Sequence, residues 1–239
     1  MKERVDALGL VDEAVEAHEA PVRRALFAHR LRWLQRFVPS GRLLEVGCAE
    51  GEFLVLARSA GFDVVGIEPD PVTSARARQV HHLDVITGTL ADSLFAAASF
   101  DLVVMFHVIE HVNSPRAVLE EISRLLRPRG FLIIETPNIE TPWLRIFRHR
   151  WRHFIPDHYY FFSPRTLRQA LEATGFTVRC IERVGKLVSL RLLADRLRRM
   201  NSLAGKLLSG CVERLGIAHR TIWLNLGDIL LACAQKPDH

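Results

Sequence analysis

The sequence predicts an α/β fold: a doubly wound, mostly parallel sheet of seven strands, preceded by helices and carrying a helical insert before its last strand. Three observations carry this reading. Between residues 42 and 135 short apolar runs rich in β-formers alternate with helical stretches, as right-handed β–α–β crossovers require. The first run ends in Gly47-Cys48-Ala49-Glu50-Gly51, with glycines where a strand must bend sharply into a helix. The run 100–106 is apolar almost throughout, as befits a strand buried on both faces.

The elements follow in order. Apolar positions Val22, Leu26, Leu31, Leu34 and Phe37 recur at helical spacing, so one or two lead-in helices are expected within 4–38, stopped by Pro39-Ser40-Gly41. Strands are expected at 42–46, 63–68, 84–87, 100–106 and 131–135. Helices are expected at 53–59, 70–79 and 115–126, with Gly61 ending the first and Pro128-Arg129-Gly130 following the last. Residues 138–162 read as a long loop carrying Trp143, Trp151, Tyr159 and Tyr160. Ser163 caps a further helix, Pro164 opens it and Gly175 closes it, the residue types those positions favour. A strand at 176–181 and a last β-rich run at 221–234, antiparallel beside it, complete the sheet. The whole chain is read as one domain: helices at 1–40, a core at 41–183 with the lid loop 138–162, an insert at 184–220, and a last strand and tail at 221–239.

At 239 residues, 49% hydrophobic and 25% charged, the chain has the composition of an ordinary globular protein. No apolar run approaches the roughly 20 residues of a membrane span, and the charged start Met1-Lys2-Glu3-Arg4 is unlike a signal peptide. Cys48, Cys180, Cys211 and Cys233 are far apart and read as reduced thiols of a cytoplasmic protein. Eight lysines and arginines lie within 184–220 (Lys186, Arg191, Arg196, Arg198, Arg199, Lys206, Arg214, Arg220) against Asp195 and Glu213. That segment alone therefore carries +6, more than the net charge of +5 of the whole chain, and the remainder is close to neutral at −1.

In an open parallel sheet, ligands sit beyond the carboxyl ends of the strands, and the informative residues fall there. The turn from Gly47 to Gly51 lets backbone approach a ligand, and the helix beyond it presents free N–H groups. Glu68 ends the second strand, where an acid can accept hydrogen bonds from both hydroxyls of a ribose. A dinucleotide fingerprint would read GxGxxG, whereas these glycines are four apart. Glu45 would repel a pyrophosphate; it suits a ligand with a cationic amine and no phosphate. S-adenosylmethionine (SAM) is such a ligand.

The segments LLEVGCAEG, VVGIEPD, FDLVVMFHVIEHV, LLRPRGFLIIETPN and HYYFFSPRTLRQALEATGF together resemble the class I SAM-dependent methyltransferases. The branch is the one that includes ubiquinone-biosynthesis O-methyltransferases and many small-molecule and glycan methyltransferases. The likeness runs from about Leu43 to Phe176. It implies the Rossmann-like methyltransferase fold, with SAM as cofactor and S-adenosylhomocysteine as product. The resemblance implies that Glu45 and Gly47 flank the methionine moiety, with Cys48, Ala49 and Gly51 in the same turn. It further places Glu68 and Pro69 at the ribose, Thr89 and Leu90 along the adenine, and Phe106 and His107 on the sulfonium side. Two departures stand out: Ala49 where the family commonly has glycine, and Thr89 where an acid is frequent.

Methyl transfer to a hydroxyl needs the two reactants positioned and a proton removed, and histidine suits the second task at neutral pH. His158, in the lid loop just before the Phe-Ser-Pro helix start, is the first candidate base or substrate contact, and His107 the second. His81, His82, His18 and His219 read as surface residues. The run His107-Val108-Ile109-Glu110-His111 matches HxxEH, the zinc-peptidase motif in reverse. It directly follows a strand, however, and Val112-Asn113-Ser114-Pro115 breaks any helix after one turn. Glu110 and His111 are read as pinning that loop by hydrogen bonds, with no metal assigned. A divalent-ion site using His107, Glu110, His111 and His158 is the alternative.

Apolar residues at 187, 190, 193, 194, 197 and 200, and again at 203, 207, 208, 211, 212 and 215, predict two basic amphipathic helices in the insert. The plainest role is a pocket cap; a peripheral contact with anionic membrane is the second. Nucleic acid is set aside, since nothing resembles an RNA-reading module. Arg145, Arg148, Arg150 and Arg152 hint at an anionic acceptor. The expected partner is a small-molecule, glycan or lipid-linked acceptor, and no feature specifies an oligomeric state. The rival readings are a nicotinamide oxidoreductase and a protein that keeps the fold without catalysis.

Overall fold

The structure, a computed structural model, describes residues 13–147, 153–199, 207, 210, 212, 214–218 and 220–238. Trp151, Arg148, Arg150, Arg152, Lys206, Cys211, Glu213 and His219 lie outside the described residues. So do the side chains of His18, Arg145, Asp195, Arg196, Arg198 and Arg199.

The described chain divides into two compact units: Arg30–Gly185 with Asn225–His239, and Met1–His29 with Lys186–Leu224. The larger unit holds a seven-stranded sheet in the order β3-β2-β1-β4-β5-β9-β6. Its strands are β1 (Gly41–Val46), β2 (Phe62–Glu68), β3 (Asp84–Thr87), β4 (Phe100–Phe106), β5 (Leu126–Pro137), β6 (Thr177–Arg183) and β9 (Ile229–Gln235). The first five are parallel, while β9 runs antiparallel between β5 and β6. The order reverses between β1 and β4, so the carboxyl ends of those two strands flank the crevice where such sheets bind ligands.

Helices α2 (Glu52–Ser59), α3 (Pro71–His81), α4 (Pro115–Leu125), α5 (Pro142–Phe147) and α6 (Pro164–Ala173) belong to the same unit. Local chemistry fixes where they begin. Asp70 caps α3 by accepting from the Thr73 amide at 2.8 Å, and Ser114 caps α4 by accepting from the Ala117 amide at 3.3 Å. Ser163 and Thr166 cap α6 reciprocally; losing such a cap typically costs about 1 kcal/mol. Leu102, Val103, Val104 and Met105 on β4 are wholly buried, and Ile229–Ala234 on β9 nearly so. Central strands covered on both faces read as unbroken apolar runs.

Four expectations change. Residues 138–162, expected as a long loop, hold α5 (Pro142–Phe147), with Pro142 opening the helix. The 221–234 run is two strands, β8 (Thr221–Leu224) and β9, separated by a turn at Gly227, whose φ is +65°. The stretch from 187 begins as strand β7 (Lys186–Ser189) before helix α7 (Leu190–Arg199). Pro128-Arg129-Gly130, expected to separate the helix from a strand at 131–135, lies within β5, which begins at Leu126, with a register shift next to Phe100 and Arg129 at φ +64°. The Arg129 amide reaches the Lys236 carbonyl at 3.1 Å and the Lys236 amide returns to Gly130 at 2.9 Å, which ties the bulge to the chain end.

The smaller unit contains the antiparallel pair β7·β8, helix α7 and the part of α1 (Glu13–Leu34) up to His29. The Leu190 amide donates to the Arg220 carbonyl at 2.9 Å, and His29 packs on Trp223 with ring centroids 4.7 Å apart.

Candidate active site

At the carboxyl ends of β1, β2 and β4 lies a cavity of about 710 Å³, within the usual range for small-molecule sites. Gly47, Ala49, Glu68, Pro69, Thr89, Leu90, Phe106 and His107 line it. His111, Asn113 and Ser114, from the segment after β4, extend the wall. Among the described residues, no lysine or arginine lines the cavity.

The turn after β1 is built for close approach. Gly47 has φ +75°, and a Cβ there would lie 2.4 Å from Val108 Cγ2, on a side chain stiff at χ1. The Gly47 and Cys48 amides both donate to the Ile67 carbonyl, at 2.8 and 3.0 Å. Gly47→Ala is therefore expected to destabilise the fold by roughly 2–4 kcal/mol, adding overpacking to backbone strain, and to abolish ligand binding. Thermal unfolding and calorimetry check this; an unchanged melting temperature would contradict the packing. Ala49, standing where the family commonly has glycine, takes φ +46°. Its amide donates to Glu68 Oε2 at 2.9 Å, so the turn keeps its shape at the modest cost of a left-handed alanine.

Glu68 also accepts from the Asp70 amide at 3.0 Å, which leaves its carboxylate fixed at the cavity wall. Glu45 is buried beneath the turn, and its Oε2 has no hydrogen-bond partner. Burial first, and then the charge of Glu68, hold its pKa well above the usual carboxylate range. A buried carboxyl oxygen without a donor is costly; Glu45 stands behind Val46 and Gly47, which line the cavity, and does not line it itself.

Cys48 and Gly51 support the turn without lining the cavity. The Cys48 thiol sits over Gly66, where an added Cβ would lie 2.6 Å from the sulfur. Burial pushes its pKa far up, helped by Glu45 and Glu68, so it is no nucleophile. Gly51, at φ +82°, starts α2 and abuts Leu83. Thr89 opens a short 3₁₀ turn over Leu90–Asp92, and its amide and hydroxyl both donate to Asp92 Oδ2, at 2.8 and 2.7 Å. These bonds hold Asp92 below the usual carboxylate range. An acid thus stands three residues after Thr89, committed to the turn.

The two candidate bases separate. Both ring nitrogens of His107 face carboxylates: Nδ1 lies 3.2 Å from Glu110 Oε1, and Nε2 lies 3.2 Å from Glu135 Oε1. Burial works against a charge on this ring, but the hydrogen bonds to Glu110 and Glu135 outweigh it and push the pKa up to about 10. His107 thus lines the cavity with both ring nitrogens facing carboxylates. His158 is the reverse case. Its Nδ1 is buried without a hydrogen-bond partner, and burial followed by repulsion from His111 holds its pKa below the ordinary histidine value. It does not line the cavity itself; its ring meets His111, which does, at 4.5 Å between centroids.

Glu110 is wholly buried, and its second oxygen accepts from the Thr136 hydroxyl at 2.9 Å. His111 Nδ1 pairs with the Asp157 carbonyl at 2.7 Å. These bonds tie the segment after β4 to β5 and to the loop before α6. Ligand atoms of Glu110, His111 and His158 lie within 4.8 Å of one another, but both oxygens of Glu110 are already engaged.

Three participants were not legible in the sequence. Arg30 pairs with Glu135 from α1, and His153, itself buried, lies 3.5 Å from Asp228. Its ring also stacks at 6.5 Å on His107 and 6.3 Å on His158. Glu135 alone carried a signal, as an acid closing a parallel strand in the manner of Glu68.

Comparison with known proteins agrees with this geometry. The family described as Methyltransferase domain matches residues 17–181. A Mycolicibacterium smegmatis protein named "Probable S-adenosylmethionine-dependent methyltransferase" is 34% identical over 137 residues, 57% of this chain and 52% of that protein. The ubiquinone biosynthesis O-methyltransferase of Azorhizobium caulinodans is 27% identical over 188 residues, 71% of this chain and 68% of that protein. The match thus spans about half the length of the first relative. Among solved structures, a Haloferax volcanii methyltransferase in complex with the Trm112 activator superposes with a TM-score of 0.68, at 20% identity and 95% coverage of both chains. At that identity the likeness is one of fold.

Proposed function

The chain belongs to the methyltransferase-domain family, and on that premise we propose that it transfers a methyl group from SAM to a hydroxyl of a small-molecule, glycan or lipid-linked acceptor. Its fold is that of the class I SAM-dependent methyltransferases, whose cofactor is SAM. The observation that carries the proposal is an acid pair at the end of β1 and β2: Glu68, fixed at the cavity wall, and Glu45, buried beneath the Gly47 turn behind the lining and lacking a donor at Oε2. That pair suits a cationic, phosphate-free ligand and disfavours a nicotinamide dinucleotide.

SAM supplies, when bound, a methyl group already activated by a positively charged sulfur. The chain's own residues then do three things. Gly47 and Ala49 let backbone close on the ligand, and Glu68 accepts hydroxyl hydrogen bonds. Phe106, braced edge-on by Phe53 at 4.9 Å, walls the reacting side. His158, held below the ordinary histidine pKa and set behind the wall residue His111, is the group assigned to take the acceptor proton. Nearby, Phe154, Ile155, Tyr159 and Tyr160 are exposed, an apolar surface suited to an aromatic or lipid-linked acceptor. Incubation with methyl-labelled SAM and a panel of phenols, glycans and lipid-linked alcohols tests this. Label on oxygen is expected; label confined to nitrogen or carbon would overturn the acceptor chemistry, and no transfer from bound SAM would leave a binding protein.

Among the described residues no helix is long and apolar enough to cross a membrane. The smaller unit exposes Ile222 and Trp223 next to Arg220, which supports peripheral contact with anionic lipid. Flotation with anionic liposomes is expected for the native chain and lost in Ile222→Ser/Trp223→Ser. Equal flotation of both would remove this contact.

A further inference from the structure

Four charged side chains run in line from α1 to the segment that walls the cavity. Arg30, almost fully buried, donates from Nε to Glu135 Oε2 and from Nη2 to the Gly185 carbonyl at 2.9 Å. Glu135 Oε1 lies 3.2 Å from His107 Nε2, and His107 Nδ1 lies 3.2 Å from Glu110 Oε1. The line ends on the loop before α6: the Glu110 carbonyl accepts the amides of Tyr159 and Tyr160, at 2.9 and 3.2 Å, and the Tyr160 hydroxyl donates to the Asn113 carbonyl at 3.0 Å. Asn113 itself lines the cavity.

The signs alternate along the line: guanidinium, carboxylate, imidazolium, carboxylate. A neutral imidazole donates one hydrogen bond, so bonding to two carboxylates requires both nitrogens of His107 to carry protons. Buried ions are expensive to desolvate, and apolar replacements are often as stable, so stability alone gives no reason for such a line. Its geometry does. His107 adopts φ +56°, a left-handed conformation disfavoured for a residue with a side chain. The next residue, Val108, packs directly on the Gly47 turn.

We propose that Arg30 and Glu135 are positioning residues for methyl transfer, holding His107 and, through Glu110, the Tyr159–Tyr160 backbone against the cavity. This rests on the methyltransferase reading for its purpose, though not for its geometry. The charged and titratable groups facing His107 are Glu110 beside it, Glu135 on β5 with Arg30 behind, and His153 and His158 from the loop before α6. Folding linkage follows from the raised pKa. The contribution of His107 is complete below its ordinary value near 6.5 and is lost as pH rises through about 10.

The test compares the native chain with Arg30→Met/Glu135→Gln, which removes the pair together and leaves no buried charge orphaned. Amide hydrogen exchange at Tyr159 and Tyr160, and S-adenosylhomocysteine affinity, are followed from pH 6 to 9. The native chain should show no pH-dependent loss of protection beyond the intrinsic exchange rate. In the double variant His107 keeps only Glu110, its titration moves into this range, and protection and affinity should fall about tenfold toward pH 9 and recover at pH 6. Values within twofold of native at every pH, in a folded double variant, would overturn the proposal. Nitrogen NMR of the native chain gives a second decision without any variant: both His107 ring nitrogens should be protonated at pH 8, and a neutral ring would refute the line. Failure of the native chain to bind S-adenosylhomocysteine would defeat the methyltransferase reading, while exchange and NMR would still decide the positioning role.

Discussion

Glu68→Ala is expected to weaken SAM and S-adenosylhomocysteine binding by about 100-fold or more. Each hydrogen bond to a charged group contributes roughly 1.5–3 kcal/mol, and a carboxylate at the end of β2 can accept two from a ribose. The substitution also frees the Ala49 and Asp70 amides that Glu68 now engages, so the turn loosens as the ligand contact is lost. Glu68→Gln keeps the acceptor oxygen but not the charge, and should fall between the two. Calorimetry of the three proteins checks the order. Equal affinities would place the ribose elsewhere.

The second large effect belongs to turnover. His158→Asn should lower kcat by about 10²–10⁴, the usual worth of a general base, while leaving S-adenosylhomocysteine affinity within a few-fold. The pH profile carries the sign. A base works deprotonated, and burial holds the His158 pKa below its ordinary value, so native activity should fall only as pH drops below about 6.5. That acid limb should vanish in the variant. His107→Asn, by contrast, should lower kcat and cofactor affinity together, because it unpairs Glu110 and Glu135. A variant at position 158 with full kcat would return the base to another group.

The parallel half of the sheet was legible in the sequence for physical reasons. β1, β2 and β4 are covered on both faces, so their central positions are apolar (Leu43-Leu44, Val64-Val65, Leu102–Met105), and Asp70, Ser114 and Ser163 announce helices. Glu45 inside β1 and Glu68 at the end of β2 drew notice because an acid in or closing an apolar strand is a costly choice. The strand pair β7·β8 was not. Lys186–Ser189 is only four residues long, and its apolar positions fit a helical spacing just as well. The 221–234 run hid its break because its turn, Asn225 to Asp228, is only four residues long and still carries the apolar Leu226 between two apolar stretches. The Arg30–Glu135 pair was invisible for another reason: its partners stand 105 residues apart, and no local pattern reports a contact made by tertiary packing. For His107, sequence shows a histidine at the end of a strand but not the two carboxylates around it.

The central claim is that the acid pair and the Gly47 turn select SAM. Titration calorimetry of the native chain with SAM, S-adenosylhomocysteine and NAD in parallel tests it most directly. The account predicts saturable binding of the first two well below about 1 mM and none of NAD. Binding of NAD, with no heat from SAM at that concentration, would contradict it.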